Sequence, residues 1–278
     1  MRSFRIQNSN GEEYNLTNVR AGFLHSVGDM GFNYVTNYRQ IGNNYRLISD
    51  ERGQDIITGS VSFRQPGAQA EFRKFANFLQ MKPLKLIYDT SDGITYYREG
   101  TVTVATYSET DALNSIITFK SFTPPYQTIF GESLSTNASG GKVYSYTYPY
   151  TYRSSAANTV TIDMSDTVLE SPLRIEFHGP MVNPVWSHYV EEILVATGRL
   201  YYTITAGNYV VVDTQTVPYS IREYNSSDEV IGDLYEYSDF GTERFLLLRH
   251  GINRIVISDD GSNTTTVKVS GKKYYAAV

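Results

Sequence analysis

Histidines are the side chains in this sequence best suited to acid–base work or metal binding, and there are four: His25, His178, His188 and His250. None stands in a His-Glu-x-x-His pattern, which would place two imidazoles on one helical face for zinc. The chain has no cysteine, so a thiolate nucleophile or metal ligand is excluded. We therefore predict structural roles for the four histidines and expect neither a metal nor a cofactor.

Adjacent carboxylates are the other candidates for chemistry, at Glu12-Glu13, Glu191-Glu192 and Asp259-Asp260. Cleavage of a glycosidic bond needs two carboxylates at one cleft, about 5–10 Å apart. Neighbouring residues on a strand point to opposite faces, so these pairs are not expected to cooperate. Gly-x-Ser-x-Gly, P-loop and dinucleotide-binding patterns are absent as well. The sequence therefore predicts a protein that is not an enzyme.

The elements are clearest in the first half, where one amphipathic helix is predicted from Ala68 to Met81. Its apolar face is formed by Phe72, Phe75, Phe78 and Leu79. The spacing i, i+3, i+7 puts these side chains on one helical face, and Lys82-Pro83 ends the helix. Strands are predicted around it at Asp55–Phe63, Leu84–Tyr88, Tyr96–Tyr107 and Leu113–Phe122. We expect a β-sandwich-like domain whose core the helix packs against.

Residues 22–53 precede this domain and contain Tyr38 and Tyr45 among short apolar and polar runs. They are expected to form short strands and loops with polar tips. One interpretation is a β-hairpin arm that packs on something outside its own domain, because tyrosine is enriched in protein interfaces. The other is an edge hairpin with a solvated face. The sequence leaves both open.

Aromatic residues in the middle of the chain suggest a second surface. Tyr144, Tyr146, Tyr148, Tyr150 and Tyr152 alternate, so an extended segment would place all five rings on one face. They could form a platform for sugar rings or a partner protein, one wall of a sandwich core, or a linker. The only tryptophan, Trp186, could likewise line a ligand groove or lie in a core.

From residue 157 onward the pattern is all-β, with short strands and turn signals such as Ala206-Gly207-Asn208. This spacing is typical of β-sandwiches and jelly rolls. A chain of 278 residues predicts two domains, and we expect residues 1–130, a Tyr-rich linker or first strand at 131–156, and residues 157–278. A β-strand at Leu234–Tyr237 is among those predicted in this half.

Composition sets the expected environment. The formal charge of −5 with no basic cluster predicts no nucleic-acid binding, and no apolar run approaches the length of a membrane-spanning helix. Residues 1–7 lack the pattern of a signal peptide, so synthesis in a cytoplasm is expected. The 24 tyrosines, two β-rich halves and absent catalytic pattern are typical of an assembly component.

The order of these features resembles the distal tail protein (Dit) family of long, non-contractile-tailed phages that infect Gram-positive bacteria. In the first half the resemblance rests on Asp55–Phe63, the Phe-rich helix ending at Lys82-Pro83, and the exit Ile117–Tyr126. In the second half it rests on Ser171–Gly179 with Asn183-Pro184, on Gly207-Asn208, and on Leu248–Asn253. The resemblance covers nearly the whole chain, apart from the tyrosine run.

The resemblance implies an N-terminal ring-forming (belt) domain and a C-terminal galectin-like β-sandwich. It also implies a homohexameric hub that joins the tail tube to the baseplate or tail tip for host adsorption. The implied partners are the chain itself, the tail tube protein, a tail-tip or lysin-type hub protein and, as a further option, a receptor-binding protein. The implied location is the distal tip of the virion tail, after synthesis in the host cytoplasm. The alternative function is a carbohydrate-binding module or adhesion protein that recognises host wall polysaccharide.

Overall fold

A computed structural model describes residues 2–18, 22–109, 112–129, 133–135, 158–261 and 265–278. The chain is mainly β with one α-helix, which confirms the predicted fold class. It divides into two compact units, an N-terminal unit of Met1–Gln127 with Tyr275–Val278 and a C-terminal unit of Thr128–Tyr274. Apart from one short strand, the predicted Tyr-rich segment 131–156 lies outside the described residues. The predicted domain roles stay predictions.

The N-terminal unit is an antiparallel sheet with a helix on one side. Its elements are β1 (Ser3–Gln7), β2 (Glu13–Asn15), β3 (Thr17–Asn18), β4 (Gly22–Gly28), β5 (Tyr34–Ile41), β6 (Asn44–Arg52), β7 (Ile56–Phe63), α1 (Ala68–Phe78), β8 (Leu84–Asp89), β9 (Thr95–Glu109), β10 (Leu113–Ser121) and β11 (Tyr126–Ile129). The strands pair in the order β3-β4-β7-β10-β9-β8-β1-β2. β5 and β6 form a separate two-stranded sheet.

Helix α1 covers the apolar face of this sheet. β7 and β10 alternate buried and less buried residues, as a half-covered strand should. Phe75 is completely buried, and its ring centroid lies 5.7 Å from that of Phe63 on β7. The helix ends at Phe78, three residues before the predicted end. The reason is local, because the N–H groups of Gln80 and Met81 donate to carbonyls three residues back, which tightens the chain into a turn.

The C-terminal unit is a sandwich of two antiparallel sheets around one core. Its strands are β12 (Ser133–Ser135), β13 (Thr159–Asp163), β14 (Ser171–His178), β15 (Met181–Val182), β16 (Val185–Val190), β17 (Ile193–Arg199), β18 (Thr203–Ile204), β19 (Tyr209–Asp213), β20 (Ser220–Tyr224), β21 (Val230–Asp233), β22 (Leu247–Leu248), β23 (Ile252–Ser258) and β24 (Thr266–Tyr274). One sheet has the order β21-β20-β19-β14-β24-β12 and the other β13-β23-β16-β17. Side chains from both sheets form a single apolar cluster.

The predicted strand Leu234–Tyr237 is wrong, because Tyr235–Tyr237 forms a short 3-10 helix. The carboxylate of Asp233 accepts the N–H of Tyr235 at 3.0 Å, and this bond starts the turn. Leu234 is buried, whereas the tyrosines on either side of Glu236 are exposed. Apolar and polar residues alternate here as they do in a strand, but they form a single helical turn. Over the described ranges, no helix has the length and hydropathy needed to cross a membrane.

Candidate interaction surfaces

Residues 34–52 form one long hairpin, β5–β6, as the predicted β-hairpin arm requires, with longer strands than expected. Ile41 and Asn44 close its two-residue turn, and Gly42 takes a φ of 62°. Glycine at the first central position is what a type II′ turn requires, and this turn matches the twist of the flanking strands. Apart from each other, β5 and β6 pair with no other strand of the described chain. We call this hairpin the arm.

The arm exposes apolar side chains to solvent. Tyr38 lies opposite Leu47, and Tyr45 lies two positions away opposite Gln40, so the three apolar side chains share one face. Tyr38 is 60% and Tyr45 69% exposed. A lone two-stranded hairpin is marginally stable in water, and a large exposed apolar patch marks an interaction site. The arm therefore has the properties of a surface that another protein covers.

The root of the arm is held by a buried ion cluster. Asp55 Oδ2 accepts hydrogen bonds of 2.8 Å from both Arg52 and Arg98, and the Asp55 and Arg98 side chains are each 3% exposed. Arg98 also donates to the carbonyl of Met30, and Arg52 to that of Ala276. Burial lowers the pKa of Arg98 from its usual value, although Asp55 opposes that shift. These contacts fix the point at which β6 leaves the unit.

Two surface clefts border the segment that follows β6. Their volumes are about 300 and 540 Å³, and both are lined by Gln54 and Asp55. Phe122 borders the first cleft and Phe32 the second, and both rings are more than half exposed. Asp55 Oδ1 and Arg52 Nη1 are buried without a hydrogen-bond partner among the described residues. The surface around the arm root is thus also suited to contact with protein.

The residues predicted for the helix core lie where α1 meets the sheet. Phe75 and Leu79 are buried, and Phe72 and Phe78 are partly buried against the same cluster. Tyr14 lies between two of these rings, with centroids 4.9 Å from Phe75 and 5.5 Å from Phe78. Burial, with the nearby Glu71, raises the pKa of Tyr14 to about 12. These side chains stiffen the unit that carries the arm.

The structure places Trp186 in a core, which corrects its inclusion among surface contacts. Its side chain is completely buried in the C-terminal unit, 5.4 Å from the ring of Phe177. An indole without exposed surface cannot stack on a glycan in this conformation. Tyr146, Tyr148 and Tyr150 lie outside the described residues, so their predicted contact role stays a prediction. Tyr38 and Tyr45 are the predicted contact residues that the structure exposes.

Two serine–histidine contacts occur in the N-terminal unit, both at His25, and the shorter one lacks the features of an activated nucleophile. His25 Nε2 lies 2.7 Å from Ser62 Oγ, but that hydroxyl also lies 2.5 Å from Asn114 Oδ1 and donates its proton there. His25 Nε2 is then the donor to Ser62, so this nitrogen cannot act as a general base toward that hydroxyl. The other ring nitrogen, Nδ1, lies 3.2 Å from the Oγ of Ser26. The group lies on strands β4, β7 and β10, outside the clefts described above.

The other titratable candidates are held in structural contacts. His188 is buried and bonded to Asn253 at 2.8 Å, and burial lowers its pKa. Glu191 and Glu192 form a tight turn at positive φ rather than a strand, so the expected geometry was wrong. The first accepts the N–H of Ile252 and the second pairs with Arg254. Among the described residues no three His, Asp or Glu side chains form a metal-binding group.

An exposed aromatic group on the C-terminal unit was missed from the sequence. The guanidinium of Arg244 lies 4.3 Å from the ring centroid of Phe240 and 5.0 Å from that of Tyr235. Phe240 is 60% and Tyr235 44% exposed. The sequence does contain closely spaced aromatic residues from 235 to 245, but this spacing also predicts β-strands. Exposed aromatic rings that contact a guanidinium could bind either a protein partner or a sugar.

Comparison with known proteins gives one family match. Residues 3–122 match the family described as distal tail protein, N-terminal domain. No curated protein sequence matches the chain.

Solved structures similar to the chain include proteins of two phages. A chain of the activated phage p2 baseplate aligns over 100% of both chains, with 14% identity and a TM-score of 0.63 in the structure with Sr. The structure with Ca gives 15% identity and a TM-score of 0.64. The Dit protein of phage SPP1, described as a paradigm of the hub adsorption apparatus in phages that infect Gram-positive bacteria, aligns over 97% of this chain and 98% of its own. That match has 11% identity and a TM-score of 0.61, so it shows a shared fold.

Proposed function

Residues 3–122 match the N-terminal domain of the distal tail protein family, and on that premise we propose that the chain forms the hub ring of a phage tail tip. The ring is a homohexamer that joins the tail tube to the baseplate and the host-adsorption apparatus. The observation that carries the proposal is the arm, a hairpin exposed along its whole length with three apolar side chains on one face. A lone hairpin of this kind is marginally stable in water, and a partner that covers its apolar side chains stabilises it.

The arm favours a ring because it makes the subunit asymmetric. Identical subunits close a ring when one surface of each meets a different surface of the next, head to tail. The arm supplies one surface, and the clefts beside Phe32 and Phe122 supply candidates for the other. Helix α1 and the Asp55 cluster make the arm's support rigid, so little ordering entropy is lost on association. Residues 1 to about 130 therefore carry the ring contacts.

The proposed partners are the tail tube protein on one side of the ring and a tail-tip hub protein on the other. A receptor-binding protein is a further partner. The proposed location is the distal tip of the virion tail, after synthesis in the host cytoplasm. The role is structural and not enzymatic, a proposal supported by the arrangement of His25 and Ser62, in which the histidine is the donor.

Mass and particle symmetry test the proposal. Light scattering and electron microscopy of the full chain should give a six-subunit ring. Replacing Tyr38, Tyr45 and Leu47 by Ser should reduce it to smaller species. Tyr201→Ser is the matched control, because this tyrosine is 55% exposed on the C-terminal unit. Gold-labelled antibodies to the chain should mark the tail tip of particles that contain it. Labelling of the tail shaft or capsid would contradict the proposed role.

A second candidate function is recognition of wall polysaccharide by the C-terminal unit, and the exposed group of Tyr235, Phe240 and Arg244 favours it. Ring faces can stack on a sugar while a guanidinium binds its hydroxyl or acidic groups. Pull-down of the full chain with purified host wall polysaccharide tests it. Binding that Phe240→Ser abolishes and Phe122→Ser leaves intact would support this function, and no binding by the wild-type chain would exclude it.

A further inference from the structure

The two ends of the arm carry opposite charges that no side chain of the described residues neutralises. At the tip, Arg39 and Arg46 are direct cross-strand partners and both are exposed. Neither has an ion pair or a hydrogen bond within the described part of the chain. Like charges placed opposite each other destabilise a two-stranded sheet. This pair is also unusual in a chain whose formal charge is −5.

The base of the arm is acidic. Asp50 and Glu51 are exposed, and both lack an ion pair within the described ranges. The adjacent cation, Arg52, does not neutralise them, because its guanidinium turns inward to Asp55 and the carbonyl of Ala276. The exposed charge of the base is therefore negative, and the exposed charge of the tip is positive.

These charges are too far apart to satisfy each other. Four to five residues of one strand separate Arg46 from Asp50 and Glu51, which is about 13–17 Å at 3.3 Å per residue. This distance exceeds the Debye length of about 8 Å at physiological ionic strength. The side chains of one arm cannot form the missing pairs, whereas two arms placed side by side with their ends offset would bring tip and base together.

We propose that the basic tip of one arm docks on the acidic base of the arm of a second copy. This inference rests on the proposed ring and names the contact that sets its register. Because tip and base are different surfaces, the contact is head to tail and repeats around a ring. Arg39 and Arg46 lie on the face of the arm opposite Tyr38, Tyr45 and Leu47, so the charges, and not that apolar face, select the offset and reject other alignments.

Charge reversal with rescue tests the inference in the full chain. The tip variant carries Arg39→Glu and Arg46→Glu, and the base variant carries Asp50→Lys and Glu51→Lys. Analytical ultracentrifugation at low ionic strength should show that each variant alone associates about tenfold or more weakly than wild type, since like charges then meet. An equimolar mixture of the two should recover association, because each variant's tip then opposes a base of opposite sign. The fourfold variant should recover it alone.

The control is Arg64→Glu with Arg73→Glu, which makes the same change in net charge at two exposed sites outside the arm. It should associate as wild type does. Tip and base variants that associate normally, a mixture that fails to recover, or a closed dimer in place of a ring would each overturn the inference. A wild-type chain that forms no oligomer at low ionic strength would overturn it too. The proposed function is tested separately, because antibody labelling of the tail tip does not depend on this contact. Charge-reversed variants that still form rings would contradict the inference and leave the proposed function unaffected.

Discussion

Trp186 lies directly against Gly198, its cross-strand partner in the C-terminal unit. A Cβ placed on Gly198 would come within 2.2 Å of the indole ring, closer than any real contact. The glycine has no positive φ, so its small size is what the site requires. The lack of a side chain at Gly198 on β17 therefore leaves room for Trp186, the largest side chain of the core.

Gly198→Ala should lower the stability of the C-terminal unit by about 1–3 kcal/mol or more, because the methyl group must displace a buried indole. A thermal melt followed by tryptophan fluorescence measures this directly. Gly31→Ala is the control, since a Cβ there meets nothing within 4 Å. Equal melting temperatures for the two variants would show that the tryptophan can move aside.

Phe75→Ala should destabilise the N-terminal unit by about 3–5 kcal/mol, because the ring is completely buried between α1 and β7. Urea denaturation followed by circular dichroism gives the change. Phe32→Ala serves as the comparison, since that ring is more than half exposed and its loss should cost little. If both changes had the same effect, the helix would not be a core element.

Asp55→Ala should cost about 3–5 kcal/mol, because it leaves the buried guanidinium of Arg98 without its carboxylate. Adding Arg98→Met should restore part of that stability by removing the unpaired charge. The double-mutant cycle is measured by urea denaturation. Glu13→Ala removes a carboxylate from an exposed pair with Arg5 and should cost no more than about 1 kcal/mol. A double variant less stable than Asp55→Ala would contradict this account.

Stability should fall as the pH drops below about 6.5, the ordinary pKa of histidine. Burial lowers the pKa of His188 in the folded chain, and Arg249 lowers it further while Asn253 and Glu243 oppose the shift. The unfolded chain then binds more protons, so the free energy of unfolding decreases as the pH falls from about 6.5 to the folded pKa. His178 contributes in the same direction, again mainly through burial.

Urea denaturation at several pH values between about 5 and 8 measures this dependence. The loss of stability should be complete only below the folded pKa of His188. At pH values well above 6.5 the protonation of His188 should have no effect on stability. His188→Gln should flatten the curve, leaving the smaller part that His178 supplies. A wild-type curve without slope in this range would contradict the buried, neutral state of His188.

Local patterns in the sequence were enough to predict the parts of the fold that depend on neighbouring residues. The Phe-rich face of α1 is visible because i, i+3 and i+7 lie together on any helix. The hairpin was only partly predicted. β6 contains an extra residue at Ile48, where the register shifts, and this bulge breaks the alternation that identifies long strands.

Relationships between distant residues could not be predicted. Asp55 and Arg98 are 43 positions apart, and only the order of strands brings them together. Gly198 and Trp186 meet through a pairing register that no local signal encodes. The charged residues of the arm are visible in the sequence. They indicate a basic tip only once the pairing of Arg39 with Arg46 is known.

Residues Tyr275–Val278 belong to the N-terminal unit, although almost 150 residues separate them from the rest of it. The ring of Tyr275 packs on Tyr96 at 5.2 Å, and Ala276 accepts the hydrogen bond from Arg52 at the arm root. During synthesis at about 5–20 residues per second, the ribosome needs roughly 7–30 s to reach these residues after residue 127. Until then Arg52 lacks one of its two acceptors. A nascent chain therefore carries an arm whose anchoring is incomplete until these residues have been made.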